Sequence, residues 1–242
     1  MKWTKIGLGF LSIISWATFF PTLSHLKAAE PPGVSVLFIG NSFTYCNDLP
    51  KMLSDLAKAG KQPLMHCEQE TPGGCTLEKH WKDGKALAKI RSRHWNFVIL
   101  QDQSQAPLHN RQAMFDYGKK FDAEIRKLGA KTVLYMTWAG QKKPEDQAAI
   151  SKAYLDLSKE LKAKIAPVGQ AWETALKADK KLVLHDKDGR HPNVTGSYLA
   201  ACVFYATIYG QSPEGFPGSI GKLTDVEARP LQAIVWKTVR KE

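Results

Sequence analysis

The sequence predicts a single doubly wound α/β domain: a three-layer sandwich around a parallel sheet of about five strands. Three observations carry this. Short, β-branched and almost wholly apolar runs recur along the chain, as strands buried on both faces require. Stretches with helical periodicity separate them. The loops after the apolar runs collect the polar residues, where such folds place their reactive groups.

The first run, Val34 to Ile39, ends in Gly40 and leads into a helical stretch to about Gly60. Leu64 to Thr71 reads as a second strand, closed by the Pro72-Gly73-Gly74 turn, and Thr76 to Arg91 as one helix. Phe97 to Leu100 is the third strand, His109 to Leu128 a helix ending near Gly129, and Thr132 to Met136 the fourth strand. Pro144 starts a helix to Lys164, because proline suits a first helical turn. Ile165 to Val168 is a short fifth strand; helices from Val194 to Tyr209 and Thr224 to Lys241 follow the Asp188-Gly189-Arg190-His191-Pro192 loop. No internal repeat or domain linker interrupts this order.

The amino terminus is different. Lys2 and Lys5 precede an apolar stretch from Ile6 to Phe20, Pro21 breaks it, and Leu26-Lys27-Ala28-Ala29 offers small residues for cleavage. This layout predicts a signal peptide over residues 1–29, a mature domain over 30–242, and a secreted or periplasmic location. The alternative, an uncleaved anchor, meets a run shorter than the roughly 18 apolar residues a span needs. No stable membrane span is therefore expected after cleavage. Export would expose Cys46, Cys67, Cys75 and Cys202 to an oxidising compartment. Their spacing fits no structural zinc site.

The formal charge is +11, and removal of Lys2, Lys5 and Lys27 leaves +8. The lysines are scattered through predicted helices, which reads as a solvated basic surface; attraction to an anionic polymer is the sharper alternative. No nucleic-acid motif is present, so nucleic acid is not an expected partner.

Ser42 follows the first strand in Gly40-Asn41-Ser42-Phe43-Thr44, so its hydroxyl can project from the sheet edge, although a serine there is more often just a helix cap. A hydroxyl nucleophile needs a base, and the base needs an orienting carboxylate. His191 and Asp188 supply those types three residues apart, in a loop before the apolar helical segment Tyr198 to Ile208, which must pack on the sheet. Oxyanion donors are available after the second strand, at Gly73-Gly74, and after the third, at Gln101-Asp102-Gln103-Ser104.

With these blocks in this order, the chain resembles the SGNH/GDSL hydrolases across nearly all of its mature length. Gly40 to Thr44 is similar to the nucleophile block, Gly74-Cys75-Thr76 to the block whose glycine amide serves the oxyanion, and Asp188 to His191 to the closing D-x-x-H. Bacterial members with G-N-S-F-T, T-P-G-G and L-Q-x-Q-S look most alike. Asn41 stands where the usual G-D-S has aspartate. Gln101-Asp102-Gln103-Ser104 stands where the family has G-x-N-D, with Gln103 aligned to the oxyanion asparagine and Gln101 as fallback.

The resemblance implies a flavodoxin-like fold and ester hydrolysis through an acyl-serine, without metal or organic cofactor. It implies Ser42, Asp188 and His191 as catalytic residues and the amides of Ser42, Gly74 and Gln103 as oxyanion donors. Asn41, Gln101 and Trp138 are expected at the substrate. If Ser42 and Gly74 share one oxyanion, Cys46 and Cys75 approach each other, which favours a Cys46–Cys75 bridge. The expected substrate is a small-molecule or polysaccharide ester, with a carbohydrate O-acetyl or acyl ester preferred. Trp81, Trp95, Trp138 and Trp172 fall near loops or helix ends and could stack on sugars, Trp138 foremost because it follows the fourth strand. The alternatives are a carbohydrate-binding protein of the same fold with little catalysis, suggested by the altered third block, and a lysophospholipase or thioesterase. Oligomeric state is left open.

Overall fold

The computed structural model describes Met1 and residues 33–241. The predicted signal peptide therefore lies outside the described residues, Met1 aside. Pro31–Glu242 forms one compact unit.

Five parallel strands, β1 (Val34–Ile39), β2 (Met65–Glu70), β3 (Phe97–Leu100), β4 (Lys131–Tyr135) and β5 (Lys164–Ala166), pair in the order β2-β1-β3-β4-β5. Helix α1 (Ser42–Tyr45), a 3-10 turn (Cys46–Asp48) and α2 (Leu49–Ala59) join β1 to β2. Then α3 (Leu77–Asp83) and α4 (Lys85–Ser92) precede β3, and α5 (Ala106–His109) and α6 (Arg111–Lys127) precede β4. Helix α7 (Gln147–Leu161) leads to β5, followed by α8 (Val168–Ala178), α9 (Val194–Tyr209) and α10 (Asp225–Val239). The chain winds outward from β1 to β2 and then in the other direction from β3. The crevice at the carboxyl ends of β1 and β3 is thus the switch point at which such sheets bind ligands.

Period-two alternation sends successive side chains to opposite faces. Val36 and Phe38 of β1 enter the core shared with α2, α8, α9 and α10, whereas Leu37 and Ile39 enter the one shared with α3, α4, α6 and α7. Helix α9 is buried at every residue from Gly196 to Ile208, because it lies between the sheet and the outer helices α2 and α10. Its apolar character on all sides follows from that position. Phe204 meets Phe38 and Tyr135 edge-on, with ring centroids 5.5 and 4.7 Å apart.

Local signals explain the departures from the expected elements. The predicted helix from Thr76 to Arg91 is two, because Gly84 adopts φ +74° and ends α3. The one from His109 to Leu128 is interrupted at Asn110, whose φ of −140° separates α5 from α6. Helix α8 was not expected; Ala171, Trp172 and Ala175 form its buried stripe. Among the described residues no helix is long and apolar enough to cross a membrane.

Helix α8 starts against the backbone beyond β4: a Cβ on Gly169 would lie 2.1 Å from the Thr137 carbonyl oxygen and 2.4 Å from the Gln147 amide nitrogen. Gly169→Ala is expected to destabilise the fold by about 1–3 kcal/mol through overpacking. Urea unfolding should show a lower midpoint with an unchanged slope.

Candidate active site

Ser42 sits at the first turn of α1, directly beyond β1, and is buried except for its opening to a cleft. The turn that places it requires a glycine: a Cβ on Gly40 would lie 2.6 Å from Gln101 Oε1 and 2.8 Å from Thr44 Oγ1. His80 Nε2 donates to the Gly40 carbonyl at 2.7 Å, and burial lowers the pKa of this imidazole. Asn41 caps α1: its Oδ1 accepts from Phe43 N at 3.2 Å and its Nδ2 donates to the Cys75 carbonyl at 3.0 Å, tying the nucleophile turn to the glycine turn after β2.

His191 Nε2 lies 2.8 Å from Ser42 Oγ, across 149 residues of sequence. Its Nδ1 is hydrogen bonded to Asp188 Oδ2. The other carboxylate oxygen accepts from the backbone N–H groups of Arg190 (2.8 Å) and His191 (2.9 Å). The hydrogen bond from His191 is the largest cause that holds the Asp188 carboxyl at about 2, helped by those two N–H groups. Asp188 therefore stays a carboxylate throughout the pH range in which imidazoles ordinarily titrate, and an Nδ1–H donated to it leaves Nε2 free to accept the Ser42 proton.

The loop carrying Asp188 and His191 is clamped on several sides. Asp186 N donates to the His191 carbonyl at 2.8 Å, and Asn193 N to the Leu184 carbonyl at 2.9 Å. From beyond β4, Trp138 Nε1 donates to the Arg190 carbonyl at 3.0 Å and Gln141 N to the Gly189 carbonyl at 2.9 Å, while His185 Nε2 donates back to the Ala139 carbonyl at 2.9 Å. From the other side, Asn47 donates to the Pro192 carbonyl at 3.0 Å and to Ser197 Oγ at 2.9 Å. Asn47 adopts φ +56°, a left-handed conformation that asparagine tolerates better than most residues. Beneath the loop, the rings of Phe43, Trp138 and Trp172 stack in parallel at 4.5 and 4.0 Å, and the His191 ring meets Phe43 edge-on at 5.5 Å.

The cleft over Ser42 has a volume of about 270 Å³. Asn41, Phe43, Gly74, Gln103, Ser104, Asp188, Arg190 and His191 line it around Ser42. Gly74 adopts φ +65°, which only glycine takes without strain, and nothing lies within 4 Å of where a Cβ would stand. The backbone N–H groups of Ser42 and Gly74 have no acceptor among the described residues. Gln103 Oε1 accepts from Gln105 N at 2.7 Å, which turns the amide nitrogen toward Ser104 Oγ, 3.5 Å away at the cleft.

Two expected substrate contacts are corrected. Gln101 is fully buried and committed elsewhere: its Oε1 accepts from Asn41 N and Thr44 Oγ1, and its Nε2 donates to the Asp102 carbonyl. It braces the nucleophile turn and does not face the cleft. Trp138 is 2% exposed and lies between Phe43 and Trp172, because the backbone beyond β4 directs it inward beneath the loop. Trp95 and Trp172 are also buried, and Trp81 packs edge-on against Phe121, so none of the four tryptophans lines this cleft. Asn41 does line it, although its amide is engaged in capping and in the Cys75 contact.

The Cys46–Cys75 bridge is not formed; all four cysteines are free thiols. The two residues are held on different sides of Ser42. The Cys46 carbonyl accepts from Ser197 Oγ of α9, whereas the Cys75 backbone is held by Asn41 on the β2 side. Among the described residues no group of three or more His, Cys, Asp or Glu side chains is arranged to hold a metal.

Several contributors escaped the reading of the sequence. Asn47 and His80 carry no local motif that would mark them, and Trp172, expected among possible sugar contacts, instead packs beneath the loop. Arg190 lies inside the D-x-x-H block but occupies one of its variable positions.

No protein-family model matches the chain, and no curated protein matches it by sequence. Solved structures do. A DUF4886 family protein from Bacteroides uniformis aligns with a TM-score of 0.72 at 19% identity, over 86% of this chain and 95% of that one. A candidate SGNH hydrolase from Slackia heliotrinireducens aligns at 0.63 and 24% identity, over 73% and 99%. Axe2, an acetylxylan esterase from Geobacillus stearothermophilus, aligns at 0.58 and 16% identity, over 73% and 94%. The chain has the SGNH-hydrolase fold.

Asp102, at the end of β3, accepts Leu77 N (3.0 Å) and Gln103 N (2.7 Å) on Oδ1, and so fixes the start of α3 and the Gln103 backbone together. Burial raises its carboxyl to about 6, against the lowering effect of those two bonds. The folded state thus holds this proton more tightly than the unfolded chain, so stability is greatest below about pH 4 as far as this group is concerned and declines as pH rises to about 6. Asp102→Asn keeps an acceptor for both N–H groups and removes the buried charge. Urea unfolding at pH 4, 6 and 8 should show the decline abolished and stability at pH 8 raised, by on the order of 3 kcal/mol.

Proposed function

We propose that this protein is a serine hydrolase that cleaves carboxylic esters through an acyl-Ser42 intermediate, and that its natural esters are short O-acyl groups, chiefly acetyl, on carbohydrate. The observation that carries the reading is the contact of Ser42 Oγ with His191 Nε2 at 2.8 Å, with Asp188 on the other ring nitrogen, at the base of an open cleft.

In this mechanism His191 Nε2 takes the Ser42 proton as Oγ bonds to the ester carbonyl carbon. The carbonyl oxygen becomes negative and receives the N–H groups of Ser42 and Gly74 and the Gln103 amide. Preorganised donors of this kind stabilise charge only as it develops, without reorganisation at the moment of reaction. As the carbon–oxygen bond to the alcohol breaks, His191 delivers its proton to the leaving oxygen. A water then replaces the alcohol, His191 takes one of its protons as the water oxygen attacks the acyl carbon, and the same proton passes to Ser42 Oγ as the carbon–Oγ bond breaks and the acid leaves. Asp188 stabilises the imidazolium that forms in each half-reaction. Beyond the ester and water, each step uses only groups of the chain, so the reading requires neither metal nor organic cofactor.

The short acyl preference rests on the size of the cleft. About 270 Å³, with Asn41, Gln103, Ser104 and Arg190 among its lining residues, suits a small acyl group and an alcohol with polar groups better than a long hydrocarbon. Similarity in fold to an acetylxylan esterase supports the same direction. We also propose that residues 1–29 direct export, so the enzyme would meet its polysaccharide outside the cytoplasm.

Ser42→Ala should reduce ester hydrolysis to background and abolish labelling by a fluorophosphonate, which unmodified protein should take up at Ser42. Gln103→Ala should lower kcat on the order of 100- to 1,000-fold while binding is largely kept. Acetate release from acetylated xylan or pectin should exceed hydrolysis of long-chain esters by the same preparation. Preference for long chains would remove the carbohydrate reading, and an unlabelled Ser42 would leave only a binding protein.

A further inference from the structure

Arg190 occupies a position that the proposed mechanism does not use. Its backbone is fixed at both ends, with N–H donated to Asp188 Oδ1 and the carbonyl held by Trp138 Nε1. The side chain is consequently carried on a fixed stretch of the loop, next to His191. Its guanidinium leans across the cleft mouth, with Nη2 3.4 Å from Ser104 Oγ on the opposite segment after β3. That long contact with a neutral hydroxyl uses one of five donors.

No carboxylate lies within 4.0 Å of the Arg190 guanidinium among the described residues. Asp188 is the other charged residue lining the cleft, and its two oxygens are taken by the His191 ring and two backbone N–H groups. The uncommitted charge at the cleft is therefore positive and sits beside the reacting hydroxyl, on a planar fork suited to bidentate binding of a carboxylate.

We propose that Arg190 is a specificity residue that pairs with a carboxylate on the alcohol portion of the ester, so that the preferred substrates are O-acylated acidic sugars of the uronic acid class. This inference rests on the esterase reading above: an acetyl group has no room for a second charge, which places the anion on the alcohol. Scattered basic residues over the surface would attract an acidic polymer in general, whereas Arg190 selects which ester reaches Ser42.

The experiment compares kcat/KM for acetylated polygalacturonate and for neutral acetylated xylan in unmodified protein, Arg190→Gln, Arg190→Lys and Arg190→Glu. The readout is the ratio of the two values, which cancels any general loss caused by disturbing His191. Unmodified protein should favour the anionic ester at low salt, and Arg190→Gln should lower the ratio about ten- to a hundredfold, as loss of a charge-assisted pair does. Arg190→Lys should fall between, Arg190→Glu should favour the neutral ester, and raising the salt should narrow the preference of the unmodified protein. A ratio unchanged in Arg190→Gln, or no preference for the anionic ester at low salt, overturns the proposal while leaving the esterase reading intact. Hydrolysis of neither polymer, with Ser42 unlabelled by fluorophosphonate, overturns both.

Discussion

The arrangement depends on one constraint: the segment from Leu184 to Asn193 must be held rigidly over the carboxyl ends of β1 and β4. Ser42 is fixed early in the chain by a strand end and a short helix. His191 lies 149 residues later, in a loop with no sheet partner of its own beyond an isolated bridge between His185 and Pro192. The loop is kept in register by bonds from Trp138, Gln141 and Asn47, and by the rings of Phe43, Trp138 and Trp172 packed below it. Helix α9, capped by Asn193 and buried along nearly its whole length, anchors the far end. A displacement of about 1 Å at such a contact is enough to lose most of the benefit of positioning, which accounts for the number of separate restraints.

The aromatic stack couples packing to chemistry. Phe43 follows Ser42 directly, packs edge-on against the His191 ring and lies flat on Trp138. Trp138 in turn donates to Arg190, between the carboxylate and the imidazole in sequence. Tyr135 donates to the Phe43 carbonyl at 3.3 Å from the buried end of β4. Core residues of the sheet thereby fix both members of the Ser42–His191 pair, so the cleft is an outgrowth of the core and not a loop assembly laid on top of it.

A second level of organisation lies at the end of β3. Gln101 and Asp102 are buried and direct their polar atoms into neighbouring turns: Gln101 into the Gly40–Thr44 turn, Asp102 into the start of α3 and its own loop. Gln103 and Ser104 then face the cleft. Adjacent polar residues thus divide between bracing the neighbouring turns and lining the cleft, according to which direction the backbone gives each side chain.

The sequence alone determined the architecture and the identity of the converging residues. Apolar β-branched runs can be stable here only as buried strands, and the bounds of β1 and β3 follow from them; a helix apolar on every side, Val194 to Tyr209, can lie only between two layers. Ser42, Asp188 and His191 were legible as candidates because a serine after a strand and a D-x-x-H before an apolar helix, each uninformative alone, occur together with Gly74 and Gln103 in the order that resembles the SGNH hydrolases. Tertiary structure decided what depends on side-chain direction. Position after β4 places Trp138 near the cleft but does not say whether the ring faces substrate or core. Proximity of the turns after β1 and β2 did not bring Cys46 and Cys75 together, because one is held by α9 and the other by Asn41. Helix α8 was concealed by the lysine-rich tail that follows its buried stripe. Asn47 and Arg190 make contacts with residues 145 and 86 positions away, and pairings at that separation are set by the packing of whole elements, which no local pattern encodes.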